Sequence, residues 1–145
     1  MAAPAPDPIA QRHETYQIRV HNLVKSFKGH RVINELCLDL ERHKVNIIIG
    51  GSGQGKSVTM KHLMGLLKPD GGHIYVDGVD IVPMSEYQLN KIRHKFGMVF
   101  QYAALFDSMT VYENIAFPLV EHSKKSRGEI TDIVTNALES VSLPG

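Results

Sequence analysis

From Gly50 to Ser57 the chain reads Gly50-Gly51-Ser52-Gly53-Gln54-Gly55-Lys56-Ser57, which meets G-x-x-x-x-G-K-[ST] at every fixed position. Each residue type answers a chemical need. Glycines let a backbone curl close to a polyphosphate without Cβ clashes. Successive N–H groups then turn inward as an anion nest, and a following helix adds the positive end of its dipole. Lys56 is placed to reach the outer phosphates, and the Ser57 hydroxyl to ligate Mg²⁺. Read alone, eight such residues also suit a glycine-rich turn without chemistry. The flanks decide for the phosphate loop: an apolar run precedes it and an apolar-periodic segment follows.

Those flanks belong to a longer alternation of strands and helices. Tyr16, Ile18 and Val20 alternate with Gln17, Arg19 and His21 in the two-residue period of a half-buried strand. Lys25 to Gly29 reads as a turn, and Val32, Ile33, Leu36, Leu38 and Leu40 as further strand. Cys37, between Leu36 and Leu38, reads as a packed core thiol. Val45 to Ile49 is short, apolar and rich in β-branched residues, which predicts a strand buried on both faces. Val58, Met60, Leu63, Met64, Leu66 and Leu67 then fit helical spacing, with a stop near Lys68-Pro69-Asp70-Gly71-Gly72. His73 to Ile81 predicts a hairpin around Asp77-Gly78. Capping boxes at Ser85-Glu-Tyr-Gln88, Thr110-Val-Tyr-Glu113 and Ser126-Arg-Gly-Glu129 predict three helix starts. Pro118 complicates the second of these helices. In the third, Ile130, Ile133, Val134, Ala137, Leu138 and Val141 lie on one face. Gly97 to Phe100 reads as one more strand, ending at Gln101.

Composition sets the bounds. In 145 residues, 43% hydrophobic and 21% charged, there is apolar material for a sizeable core. The net charge of +1 gives no global pull toward nucleic acid, and no nucleic-acid partner is expected. A single cysteine excludes a disulfide framework and suits a reducing compartment. No apolar run approaches the ~20 residues of a membrane span. Residues 1–15, rich in Ala and Pro, read as a flexible tail rather than a secretory signal. The basic run from His122 to Arg127 reads as a solvated loop.

The span from residue 16 to 145 resembles the amino-terminal part of an ABC-transporter nucleotide-binding domain. Phe27, in "LVKSFKGHRVI", stands where that family has an aromatic A-loop residue that stacks on adenine; by itself it reads equally as a core aromatic. "GLLKPDGGHIYVDGVDI" resembles the segment after the phosphate loop, and "FGMVFQ" the Q-loop, in which Gln101 would sense Mg²⁺ and the attacking water. "ALFDSMTVYENIAFPL" resembles the form "ALFDSLTVxENVAFPL" typical of Mla-type phospholipid transporters, and "GGSGQGKSV" and the closing "VSLPG" agree with it. The family commonly has a Gly-Glu pair near His43-Lys44, so a somewhat different turn is expected there. Gln54 replaces a residue that is often Ser, Thr or Cys.

The resemblance implies an α/β P-loop NTPase fold with an antiparallel β subdomain and the start of a helical subdomain. It implies ATP and Mg²⁺ as cofactors, bound by Phe27, by Gly50 through Ser57, and with Gln101 as second Mg²⁺ contact. It implies a second ATP-binding subunit as dimer partner and a transmembrane permease, hence a cytoplasmic location, peripheral on the inner face of the cell membrane. Tyr102, Leu105 and Phe106 are candidates for the permease contact and equally for the core. No apolar run ending in Asp-Glu is present for Walker B, and neither is Leu-Ser-Gly-Gly nor a late switch histidine. The 145 residues are therefore expected to bind Mg-nucleotide weakly and not to turn it over. Three alternatives stay open: another ABC importer motor, a soluble P-loop kinase, and a non-hydrolysing nucleotide-binding module. Against the kinase, Arg127 is the only arginine after Arg93, which leaves little for an arginine-bearing lid.

Overall fold

The computed structural model describes residues 14–99 and 104–143, which fall into two compact units dividing between Gly97 and Met98. Gln101 and Tyr102 lie outside the described residues.

The first unit holds an antiparallel four-stranded sheet in the order β2-β1-β3-β4. Its strands are β1 (Tyr16–Phe27), β2 (His30–Glu41), β3 (Gly71–Val76) and β4 (Val79–Asp80). Two helices, α1 (Lys56–Leu63) and α2 (Glu86–Arg93), complete it. Both hairpins turn on residue pairs with positive φ: Lys28 at 48° with Gly29 at 80°, and Asp77 at 50° with Gly78 at 79°. Such pairs make the two-residue turns whose twist matches the strands. The predicted Asp77-Gly78 hairpin therefore forms. The turn expected over Lys25 to Gly29 is shorter: β1 runs on to Phe27, because two left-handed residues suffice to reverse it.

The sheet's inward face alternates until β1 inserts one residue. Ile18 and Val20 are buried, and then Leu23, not Asn22, is fully buried. The register explains the change of parity. His21 pairs with His73 and Val24 with Gly71, so Asn22 and Leu23 together oppose Gly72. This is a β-bulge, which re-aims the side chains after it. Ile18, Val20 and Leu23 meet Ile33, Ile74, Val76 and Ile81 from the sheet, Leu63 from α1 and Leu89 from α2 in one core. Cys37 is not part of it. It is exposed, and its thiol lies 3.3 Å from both the N–H and the Oδ1 of Asn22 at the bulge. In a strand whose even-numbered leucines face inward, the odd position faces out.

Helix α1 ends earlier than its apolar pattern suggests. Gly65 adopts φ 63°, its N–H donates to the His62 carbonyl, and the Leu66 N–H donates to the Lys61 carbonyl. This is a Schellman cap, and it stops the helix before Lys68-Pro69 is reached. His62 is fully buried in the last turn, with Nδ1 2.7 Å from the Val58 carbonyl. Burial chiefly holds its protonation below the ordinary histidine range, against the Val58 bond that favours the proton. The unfolded chain therefore takes up this proton first as pH falls below 6.5, and acid costs the folded state stability. The contribution is complete above that value and is lost on acidification. Urea midpoints at about pH 7.5 and about pH 5.5, above the carboxylate range, should fall in the parent chain and fall less in His62→Leu. Equal drops in the two proteins would exclude His62 as the cause.

Two predicted strands do not form. Residues 45–49 have no strand assignment, and Val45, Ile47 and Ile49 are 90, 76 and 90% exposed. Residues 97–99 are likewise not strand, and Phe100 lies outside the described residues. A β-branched run becomes a strand only by pairing, and the described sheet offers neither segment a neighbour. The turn before residue 45 is present, with His43 at φ 58°.

The second unit contains α3 (Val111–His122) and α4 (Arg127–Ser140). Thr110 and Ser126 each cap their helix as half of a complete capping box, as Ser85 does for α2. Helix α3 runs through Pro118, which removes one backbone donor without ending it. Ala116, Ile130 and Val134 form this unit's buried core. Among the described residues no helix is long and apolar enough to cross a membrane.

Candidate functional site

The glycine loop leads from the exposed 45–49 segment into the first turn of α1. Its curvature rests on two residues in the left-handed region, Gly53 at φ 76° and Gly55 at φ 81°. Gly55 is also the N-cap of α1, with no side chain capping the helix. The first turn's N–H groups are thus left for an outside acceptor, as anion binding at a helix start requires. The Thr59 N–H closes the first rung onto the Gly55 carbonyl at 2.8 Å.

Lys56 folds back over the loop. Its Nζ donates to the carbonyls of Gly50 and Gly51, both at 2.6 Å. An ammonium has three donors, so one remains, and the charge is held at the mouth of the loop. Gln54 lies over the same glycines: a Cβ on Gly50 would stand 3.5 Å from its Oε1. Ser57, the next residue of α1, is exposed. The loop thus brings Gly50 through Ser57 together, as their spacing predicts. Among the described residues no cluster of three or more His, Cys, Asp or Glu could hold a metal. A hydroxyl such as Ser57 fits Mg²⁺, which keeps most of its coordination for water and phosphate oxygens.

Two neighbours of the loop carry no motif: Thr59 escaped the sequence reading, and Val32 was read only as a strand residue. Thr59 is buried, and with Val32, Ile33 and Lys56 it lines a cavity of about 230 Å³ that reaches the loop at Gly50 and Gln54. Val32 also backs Gly55: a Cβ there would lie 3.3 Å from the Val32 carbonyl oxygen and from its Cγ1. Gly53 has the same sign of φ but nothing within 4 Å. Alanine at either position incurs backbone strain of about 1–3 kcal/mol, and only Gly55→Ala adds a tight contact, in which the Val32 backbone must give by a few tenths of an ångström. In thermal denaturation Gly55→Ala should therefore lose clearly more than Gly53→Ala. Equal losses would mean that the Val32 contact gives way at no cost.

Phe27 closes β1 at 41% exposure, so it is not the core aromatic that was its alternative reading. The ammonium of Lys25 stands 5.5 Å from its ring centroid, within range of a cation–π contact. Lys25 itself is fixed by Asp70 at 2.8 Å and by the Lys68 carbonyl at 2.9 Å. Asp70 also accepts from the Ser26 N–H at 2.7 Å. Lys25 first, then Ser26, holds the Asp70 carboxyl below its usual range. The strand end that carries Phe27 is thus tied down by local hydrogen bonds.

In the second unit Leu105 and Phe106 are 64 and 48% exposed, which removes the core alternative for both. They line an apolar groove of about 470 Å³ with Val111, Ile115 and Leu138. Phe106 packs its ring 5.1 Å from that of Phe117, and the Asn114 Oδ1 accepts from its N–H at 2.8 Å.

Comparison with known proteins places these features in context. The profile of the ABC transporter family matches residues 33–145. The chain is 48% identical over 128 residues to a probable ribonucleotide transport ATP-binding protein, mkl, of Mycobacterium leprae, covering 88% of this chain and 37% of that protein. It is 41% identical over 130 residues to the intermembrane phospholipid transport system ATP-binding protein MlaF of Haemophilus influenzae, covering 88% of this chain and 48% of that protein. Among solved structures, the ATP-binding cassette MJ0796, a dimer in a post-hydrolysis state bound to ADP and Pi, superposes with a TM-score of 0.76 at 27% identity. That match covers 84% of this chain and 56% of the cassette. The chain thus spans less than half the length of these two curated relatives.

Proposed function

We propose, since the chain belongs to the ABC transporter family, that it is the nucleotide-gripping part of a transporter's ATP-binding subunit. The observation that carries this is Lys56, its ammonium held at the mouth of a glycine loop that opens onto an uncapped helix start. In this reading the backbone of Gly50 to Gly55 and the start of α1 take the phosphates of ATP, Lys56 their outer charge, and Ser57 the Mg²⁺. Phe27 stacks on the adenine, and Gln101 contacts Mg²⁺ and the attacking water. Residues 16–145 are the amino-terminal part of the domain.

The complete subunit works as one of a pair and hydrolyses ATP on the inner face of the cell membrane. Its permease contact is the apolar groove at Leu105 and Phe106. The cargo is phospholipid, supported by the "ALFDSMTVYENIAFPL" stretch and by the relative named for intermembrane phospholipid transport. The Mycobacterium relative is named for ribonucleotide transport, and that is the alternative cargo.

Calorimetric titration of the 145-residue chain tests the core of this reading. Mg-ATP should bind at least about tenfold more tightly than AMP, since only the triphosphate engages Lys56 and the helix start. Equal affinities, or no binding, would overturn it. The chain alone should release no phosphate. Release that Lys56→Ala abolishes would refute the view that the catalytic base lies elsewhere.

A further inference from the structure

Strand β1 outruns one of its neighbours. It pairs with β3 as far as Val24 opposite Gly71, and then continues to Phe27. On the other side its end stays paired with β2, Lys25 opposite Ile33 and Phe27 opposite His30. Toward β3 no strand residue follows to accept from the Ser26 N–H. Asp70, the residue before β3, fills that place. Its own N–H donates to the Val24 carbonyl at 2.9 Å, and its carboxylate accepts from the Ser26 N–H at 2.7 Å. One side chain thus carries the β1–β3 ladder past its last strand pair, and a backbone donor that needs a partner receives one.

The same carboxylate fixes Lys25. Its second oxygen accepts from the Lys25 Nζ at 2.8 Å, the Lys68 carbonyl accepts from Nζ at 2.9 Å, and the Lys25 side chain is only 14% exposed. The ammonium held in this way stands 5.5 Å from the centroid of the Phe27 ring, within cation–π range. The ring itself is exposed and is not part of the described core. Its place is set by the end of β1 and by Lys25, not by core packing, and Asp70 holds both. Strand β2 connects this strand end to the glycine loop: His30 lies opposite Phe27, and Val32, two residues on, backs Gly55.

We propose that Asp70 is a positioning residue for nucleotide binding: through the Ser26 N–H and the Lys25 ammonium it sets the Phe27 ring in place as the platform for the base. This rests on the reading of Phe27 as the adenine-stacking residue. Asparagine is the sharpest change at the site. Its amide has one acceptor oxygen where the carboxylate has two, so one donor loses its partner and meets an NH₂ group instead.

Calorimetric titrations of the 145-residue chain with Mg-ATP and with Mg-tripolyphosphate, which has the phosphates without the base, test this. Phe27→Ala should weaken Mg-ATP about tenfold, the scale of one base stacked on an aromatic ring, and leave Mg-tripolyphosphate unchanged. Asp70→Asn should weaken Mg-ATP at least about threefold, again with Mg-tripolyphosphate unchanged. In the Phe27→Ala background it should have no further effect, since without the ring there is nothing to position. If Asp70→Asn does not fold, Lys25→Met, which removes the ammonium beside the ring and leaves the Ser26 bond, takes its place in the same cycle. Parent-like Mg-ATP binding by Asp70→Asn beside a weakened Phe27→Ala overturns the proposal. Equal losses for the two ligands, or additive losses in the double variant, overturn it as well. A Phe27→Ala chain that binds Mg-ATP like the parent overturns the stacking reading and this proposal with it. A parent chain that binds neither ligand overturns the phosphate-loop reading on which both depend.

Discussion

Lys56→Ala lowers the affinity of the chain for Mg-ATP by at least about tenfold, the scale of one charge-assisted hydrogen bond lost to a phosphate. The same change leaves the melting temperature close to that of the parent chain. The two halves of this result follow from one geometry. The Lys56 Nζ spans the carbonyls of Gly50 and Gly51 at 2.6 Å, in an exposed setting where net gains per hydrogen bond are small. Its loss therefore costs the fold little. It removes the only Lys or Arg of the segment from Gly50 to Ser57, at the place where a triphosphate concentrates its charge. Lys56→Arg keeps the charge but replaces a compact ammonium by a planar fork, so it should restore less than half of the lost binding energy. AMP affinity should be nearly unchanged in both variants. A Lys56→Ala chain that binds Mg-ATP as tightly as the parent would show that the loop backbone and helix start suffice. Lys56 would then be a structural strut.

Legibility followed the range of the interactions. The shape of the glycine loop was legible because its geometry is local: the left-handed Gly53 and Gly55, the Lys56 bonds to Gly50 and Gly51 and the start of α1 lie within a few consecutive residues. The three capping boxes were legible for the same reason, since each closes within four residues. The Asp77-Gly78 turn needs only its own two φ values. What failed was non-local. Val45 to Ile49 has a strand's composition, but composition does not name a partner. Cys37 was misplaced although the alternation that exposes it was already visible, because small size and apolar neighbours were weighed above parity. The parity break at Asn22 could not be read at all, since nothing in "VHNLVK" marks a bulge. His62 drew no reading from the sequence. Its burial comes from β3, the hairpin and α2 closing over the end of α1, and no window of sequence contains all of them.

Gly72→Ala should be the most damaging single methyl in the first unit, costing more than about 3 kcal/mol or preventing folding outright. The bulge sets the scale. Asn22 and Leu23 of β1 together oppose Gly72 of β3, and Asn22 itself takes φ 49° to do so. The β1 backbone is thereby pushed against its neighbour. A Cβ on Gly72 would lie 2.3 Å from the Asn22 carbonyl oxygen and 2.6 Å from that of His21. Neither is a side chain that can swing away. Relief requires β1 and β3 to separate at the point where Leu23, fully buried, enters the core. The φ of 86° at Gly72 adds its own penalty for any L side chain. Two controls isolate the cause. Gly71→Ala, one residue earlier, meets only the Val24 Cβ at 3.9 Å and should be nearly neutral. Gly29→Ala has φ 80° but open space around it, so it should show the strain alone, about 1–2 kcal/mol. Urea unfolding of the three variants should rank them Gly72, Gly29, Gly71 in order of loss. If Gly72→Ala is no worse than Gly29→Ala, the two strands part easily there and the bulge does not hold Leu23 in the core.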